Sequence, residues 1–147
     1  MLVSNKNILE FFLPNENTEL GKLPFYDGGI KAGFPSPAAD FDGTKISLDE
    51  LVIKNKTTTF YAKASGNSMI NAGINDGDIL VIDKSLEPKD GKIAVCFIDG
   101  EFTVKRIKIK QDYILLVAEN DAYQPIMVTA TNQFLIWGIV THVVKNL

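Results

Sequence analysis

The sequence of 147 residues holds one cysteine, so it cannot close an internal disulfide. Cys96 stands in the apolar run Val95-Cys96-Phe97 and reads as a small buried hydrophobe, which fits a reducing compartment. Histidine is equally scarce, with His142 alone. One histidine and one cysteine make a zinc cluster or a Ser-His-Asp triad hard to build. Charge of either sign is modest: 15 basic against 18 acidic residues give a net −3, which argues against a main role in neutralising nucleic-acid phosphates. Long apolar runs are missing too. The most apolar stretch, 134–144, is interrupted by Thr141 and His142 and falls well short of the roughly 20 residues a membrane helix needs. The run from Ile8 to Leu13 is too short for a secretory signal and carries Glu10 inside it. Gly28-Gly29 lacks the flanking strand and helix of a phosphate-cradling loop. The expectation is a soluble, cytoplasmic protein with no cofactor, no metal, no membrane association and no direct specific DNA binding.

What is present suffices for one core: 46% of the residues are apolar. Residues 1–32, with Pro14, Pro24 and several asparagines, show no helical or strand period and read as an irregular arm. Its clusters Phe11-Phe12-Leu13 and Leu23-Pro24-Phe25-Tyr26 predict that it docks on something. Over 33–42, Pro35 and Pro37 push their predecessors out of the α region, so this stretch should be extended or a loop. Ser47-Leu48-Asp49-Glu50 has the form of a capping box before a short helix. From Thr57 onward the signals are β, with strands expected over 58–65, 78–83, 92–98, 101–109, 113–119, 124–129 and 134–144. Asp99-Gly100 predicts a two-residue hairpin turn. The fold class is mostly β: a compact sandwich or barrel of short strands with an irregular N-terminal arm.

Two residues stand out chemically. Ser68, in Ser65-Gly66-Asn67-Ser68-Met69, follows a strand at a glycine turn. Such a turn projects a hydroxyl and frees nearby amides to point at one place, as a nucleophile and its oxyanion site require. A plain turn serine has the same local pattern. Lys105 is the second. Strand alternation puts Arg106, Lys108 and Lys110 on one face and Lys105 with Ile107 and Ile109 on the other. A lysine on an apolar face loses hydration, its pKa falls, and in the neutral form it can take a proton from a serine. Phe102 and Val104, apolar on the opposite phase, suggest that the strand starts buried on both faces; a lysine snorkelling to a rim is the plainer reading. His142, within an apolar run, reads as structural. Asp76, Asp78 and Asp83 read as an acidic patch around a turn, which turn chemistry explains without a metal. Trp137 reads as core or interface.

Three segments, in order, resemble the LexA/UmuD family of self-cleaving serine–lysine peptidases, and its UmuD branch in particular. Ala32-Gly33-Phe34-Pro35-Ser36-Pro37-Ala38-Ala39-Asp40 is similar to the cleavage segment. Lys63-Ala64-Ser65-Gly66-Asn67-Ser68-Met69 is similar to the nucleophile motif, and Asp99-Gly100-Glu101-Phe102-Thr103-Val104-Lys105 to the lysine motif. His142-Val143-Val144-Lys145 resembles the C-terminal strand. The resemblance implies a LexA-like peptidase fold over 33–147, preceded by an arm, 1–32, that is removed. It implies Ser68 as nucleophile, Lys105 as general base, Ala32–Gly33 as the scissile bond, and the backbone amides of Asn67 and Ser68 as oxyanion donors. It further implies a homodimer that responds to a RecA filament on single-stranded DNA in the SOS response. The shortened product would serve a UmuC-type Y-family translesion DNA polymerase. Asn67 departs from the pattern, since an acid is expected there.

The alternatives separate on sequence features. A LexA-type repressor needs a DNA-binding helix-turn-helix before the cleavage site, and only 32 residues, broken by Pro14 and Pro24, stand there. A signal-peptidase relative needs a membrane anchor. A catalytically inactive binding module that regulates a polymerase would usually have lost Ser68 or Lys105, and both are present.

Overall fold

The computed structural model describes residues 10–12, 21–25, 30, 32–33 and 43–147. The chain forms two units, 15–54 and a larger one made of 1–14 with 55–147.

The strands, in chain order, are β1 (Glu10–Phe12), β2 (Leu23–Pro24), β3 (Lys45–Ile46), β4 (Thr59–Lys63), β5 (Ile79–Asp83), β6 (Ile93–Ile98), β7 (Glu101–Ile109), β8 (Ile114–Val117), β9 (Ile126–Val128) and β10 (Phe134–Val144). The larger unit is built on one antiparallel sheet of eight of them, in the spatial order β1-β4-β5-β10-β6-β7-β8-β9. This sheet has two edges and is not closed into a barrel. All seven strands expected from Thr57 onward are present, each within about two residues of its expected ends. The mostly-β reading therefore holds, with an open sheet as its form.

The long strand β10 organises the sheet. Its first half pairs with β6 and its second half with β5, with a register shift in each ladder. Gly138 sits between the two halves. A Cβ there would stand 2.5 Å from the Cγ2 of Ile82, so only a bare backbone lets β10 approach β5 so closely. The central strands are buried on both faces here, and alternation sends neighbouring side chains to opposite sides. Val95 joins Leu80, Ile82 and Met69 in one cluster, while its neighbours Ala94 and Cys96 join Ile107, Leu116 and Ile139 in the other. Cys96 is fully buried, as its apolar surroundings predict.

The Asp99-Gly100 turn joins β6 to β7 with φ of 47° and 88°, the two left-handed residues that a hairpin of this length needs to match strand twist. At one edge of the sheet, β1 pairs with β4 in the register Phe11↔Ala62. Phe11 packs on Phe102 and Trp137 with ring centroids 5.2 and 4.8 Å apart. Part of the segment read as irregular is thus a three-residue strand, too short to show a period.

In the smaller unit, β2 pairs with β3 ahead of helix α1 (Leu48–Val52). Ser47 is the residue before the first turn, but its side chain makes no cap hydrogen bond, so the capping box is present in sequence only. Ala32 and Gly33 lie exposed in a bend. The rest of the expected extended segment, 34–42, lies outside the described residues, as does Gly28-Gly29.

The three aspartates do not form one patch. Asp78 and Asp83 flank β5 at opposite ends, and each is committed to its own partners: Asp78 to Lys145 and the Asn75 amide, Asp83 to Asn55, Thr58 and Ser85. His142 is exposed, next to a register shift of β10 against β5, and its Nδ1 lies 3.0 Å from the Thr141 hydroxyl.

Candidate active site

Ser68 follows the end of β4. A backbone bridge holds the exit from that strand: the Ala64 amide donates to Asp78 O at 2.7 Å and the Gly77 amide donates to Ala64 O at 2.8 Å. Gly66 then turns the chain at φ 87°, with its amide donating to Asp76 Oδ1 at 2.8 Å. Beyond Ser68 the chain enters a turn of 3-10 helix, Ile70–Ala72. Met69 is buried beside it. The serine is therefore fixed between a braced turn and a buried anchor, and it remains half-buried at the wall of a cleft of about 220 Å³. Among the described residues, the backbone hydrogen bonds around this turn leave the amides of Asn67, Ser68 and Met69 unused.

Lys105 comes from β7 and lines the same cleft. It lies on the face that carries Ile107, and its cross-strand partner is Ala94. The side chain is buried, only 7% exposed, in contrast to the snorkelling alternative. Val104 on the other phase is also buried, so this strand is covered on both faces here. The Nζ donates to Ser68 Oγ at 3.2 Å, to Thr103 Oγ1 at 2.7 Å and to Val104 O at 3.1 Å. Each partner is a neutral oxygen. Among the described residues, no carboxylate pairs with Lys105. Burial therefore pushes its pKa below the ordinary lysine value. The Cys96 thiol, if ionised, would oppose this, but burial pushes that thiol up to about 12 and keeps it neutral.

Two features of the site escape a reading of the sequence. Thr103 holds the Lys105 ammonium; it stands two residues earlier on the same strand face, so alternation is the signal that points to it. The second is the fixing of Asn67, which Asn120 and Tyr123 hold from 53 and 56 residues away. No local pattern predicts those contacts.

A half-buried serine hydroxyl, a lysine buried against neutral oxygens and a cleft lined by both form a set that can attack a carbonyl and carry a proton. Comparison with known proteins agrees in kind. Residues 24–141 match the Peptidase S24-like family. The chain belongs to that family. It is 35% identical to Protein MucA of Salmonella typhimurium over 135 residues, which cover 91% of this chain and 92% of that protein. It is 38% identical to Protein ImpA of Shigella flexneri over 124 residues, 84% of this chain and 83% of that one. It is also 35% identical to the LexA repressor of Vibrio campbellii over 120 residues, 81% of this chain but 58% of the repressor. No helix among the described residues is long and apolar enough to cross a membrane.

Proposed function

We propose that this peptidase cuts its own chain between Ala32 and Gly33, with Ser68 as nucleophile and Lys105 as general base. The observation that carries the reading is the 3.2 Å contact between Ser68 Oγ and the Nζ of a buried lysine whose partners among the described residues are all neutral. Neutral Lys105 takes the proton of Ser68 as Oγ adds to the Ala32 carbonyl. The amides of Asn67 and Ser68 receive the oxyanion. The protonated lysine then delivers its proton to the Gly33 nitrogen as the peptide bond breaks, leaving residues 1–32 as an ester on Ser68. Lys105, neutral again, activates the water that hydrolyses the ester. The products are the arm, 1–32, and the domain, 33–147.

The same reading assigns the protein to the SOS response as a homodimer. A RecA filament on single-stranded DNA stimulates the cut by favouring an arm pose that brings Ala32 to Ser68; Lys105 is already buried in the uncut chain. The 33–147 form then acts as the accessory subunit of a UmuC-type error-prone polymerase. Support comes from family membership, from the sequence segments in their order, and from relatives matched over most of their length. The test is to mix purified protein with RecA, single-stranded DNA and a nucleotide, and to weigh the products. Fragments ending at Ala32 and beginning at Gly33, absent in Ser68→Ala and Lys105→Ala, are expected. Cleavage elsewhere, or cleavage that survives Ser68→Ala, would contradict the assignment.

A further inference from the structure

The peptide unit joining Asn67 to Ser68 carries both the Asn67 carbonyl and the Ser68 amide. It is planar, and no cis bond occurs among the described residues, so the two groups point in opposite directions. Whatever fixes the carbonyl fixes the amide. The Asn67 carbonyl accepts from Asn120 Nδ2 at 2.9 Å and, more weakly, from the Ile70 amide at 3.4 Å. The Asn67 side chain is held separately, its Oδ1 accepting from the Tyr123 hydroxyl at 2.6 Å.

The loop that supplies these donors is itself anchored. The Asn120 Oδ1 accepts from the Ala122 amide at 3.0 Å, and the Tyr123 amide donates to Asn120 O at 3.1 Å, so the loop closes on itself. Glu119 O accepts from the Asn71 amide at 2.8 Å, just beyond the nucleophile turn. The Glu119 carboxylate pairs with Arg106, whose guanidinium also donates to Gly91 O. Arg106 is the neighbour of Lys105 on β7. One hydrogen-bonded path thus runs from the base strand through Glu119 and Asn120 to the peptide bond in front of the nucleophile.

We propose that Asn120 is a positioning residue for this active site: its amide group aims the Ser68 N–H into the cleft as the oxyanion donor, while Tyr123 and the Glu119–Arg106 pair keep its loop in place. The proposal rests on the self-cleavage reading for its catalytic consequence, but the orientation of the Ser68 amide can be observed without catalysis.

The discriminating variant is Asn120→Asp. It keeps the Oδ1 that accepts from Ala122, so the loop turn survives, and it removes the donor to Asn67 O. Tyr123→Phe, which removes only a hydroxyl, serves beside it. The Ser68 amide signal is followed by NMR in the uncut full chain at neutral pH, and self-cleavage is followed as a rate against pH. Expected in Asn120→Asp are a shifted or broadened Ser68 amide signal and a plateau rate lowered by about tenfold or more, approaching the loss seen when an oxyanion donor is removed. Tyr123→Phe should give a smaller loss with an unmoved pH midpoint, because Lys105 is untouched. An unchanged Ser68 amide signal, or a parental plateau rate in Asn120→Asp, overturns the proposal. A parent protein that never cuts, in which Asn120→Asp still displaces the Ser68 amide, overturns the self-cleavage reading and upholds the positioning role.

Discussion

Lys105 Nζ lies 3.2 Å from Ser68 Oγ and 2.7 Å from Thr103 Oγ1, so the ammonium is held by two hydroxyls and by the backbone of its own strand, with no counter-ion among the described residues. A buried cation in that position is destabilising, and removing its charge relieves the cost. The pKa of Lys105 is lowered in the folded chain, so between that lowered value and about 10.4 the unfolded chain binds more protons than the folded one. Stability contributed at this site therefore rises with pH across that window. Lys105→Met, which keeps the stem and drops the charge, should raise the melting temperature at pH 7 relative to Ser68→Ala, which under the proposed mechanism also stays uncut. The advantage should shrink as pH approaches about 10. A lower melting temperature for Lys105→Met at pH 7 would show that the charge is stabilised by something else.

Asp83 gives the opposite sign. Burial alone would raise its pKa, but hydrogen bonds from Asn55, Ser85 and Thr58 outweigh burial and lower it. Its contribution is present above the unfolded value of about 3.9 and is lost as pH falls through the lower folded value. Asp83→Ala leaves donors of three residues without their acceptor and should cost about 1–3 kcal/mol at pH 7 in urea unfolding. The deficit should narrow below about pH 4. A deficit that persists unchanged at low pH would point to lost packing instead.

Gly138→Ala tests the tight crossing in the middle of the sheet. The added methyl meets Ile82, fully buried and branched at Cβ, so it cannot swing aside. Overpacking of this kind costs about 1–3 kcal/mol, read as a lower urea midpoint at constant slope. A midpoint equal to that of the parent would mean that β10 and β5 have room to separate.

Trp137 is the only tryptophan, and Phe11 lies on it. Phe11→Ala should shift the tryptophan emission to the red by admitting water to the ring, with little loss of stability because Phe11 is itself 37% exposed. An unshifted spectrum would mean that Phe11 does not shield Trp137 in solution.

The sequence was legible where the physics is local. Strand alternation put Lys105 with Ile107, and Asp99-Gly100 marked a turn whose left-handed backbone only a few residue types accept. The seven strands from Thr57 onward followed from runs rich in β-branched and aromatic residues bounded by turn signals. Illegible parts were of two kinds. Strand β1 has three residues, too few for a period, and its position depends on Trp137 and Phe102 far along the chain. The aspartates near Ser68 looked alike in sequence, yet Asp76 accepts from the Gly66 amide while Asp78 pairs with Lys145 across 67 positions. Long-range partners turn similar residues to different uses, and periodicity does not carry that information.

The most direct test of the account needs no partner protein. The purified chain is incubated from about pH 7 to about pH 10.5, a range that spans a lowered and an ordinary lysine pKa, and its products are weighed. Ser68→Ala and Lys105→Ala run alongside. The account predicts a cut between Ala32 and Gly33 whose rate climbs with pH as Lys105 loses its proton and levels off once it is neutral, and no cut in either variant. A rate independent of pH, or a cut that persists in Lys105→Ala, would contradict a lysine base acting on Ser68.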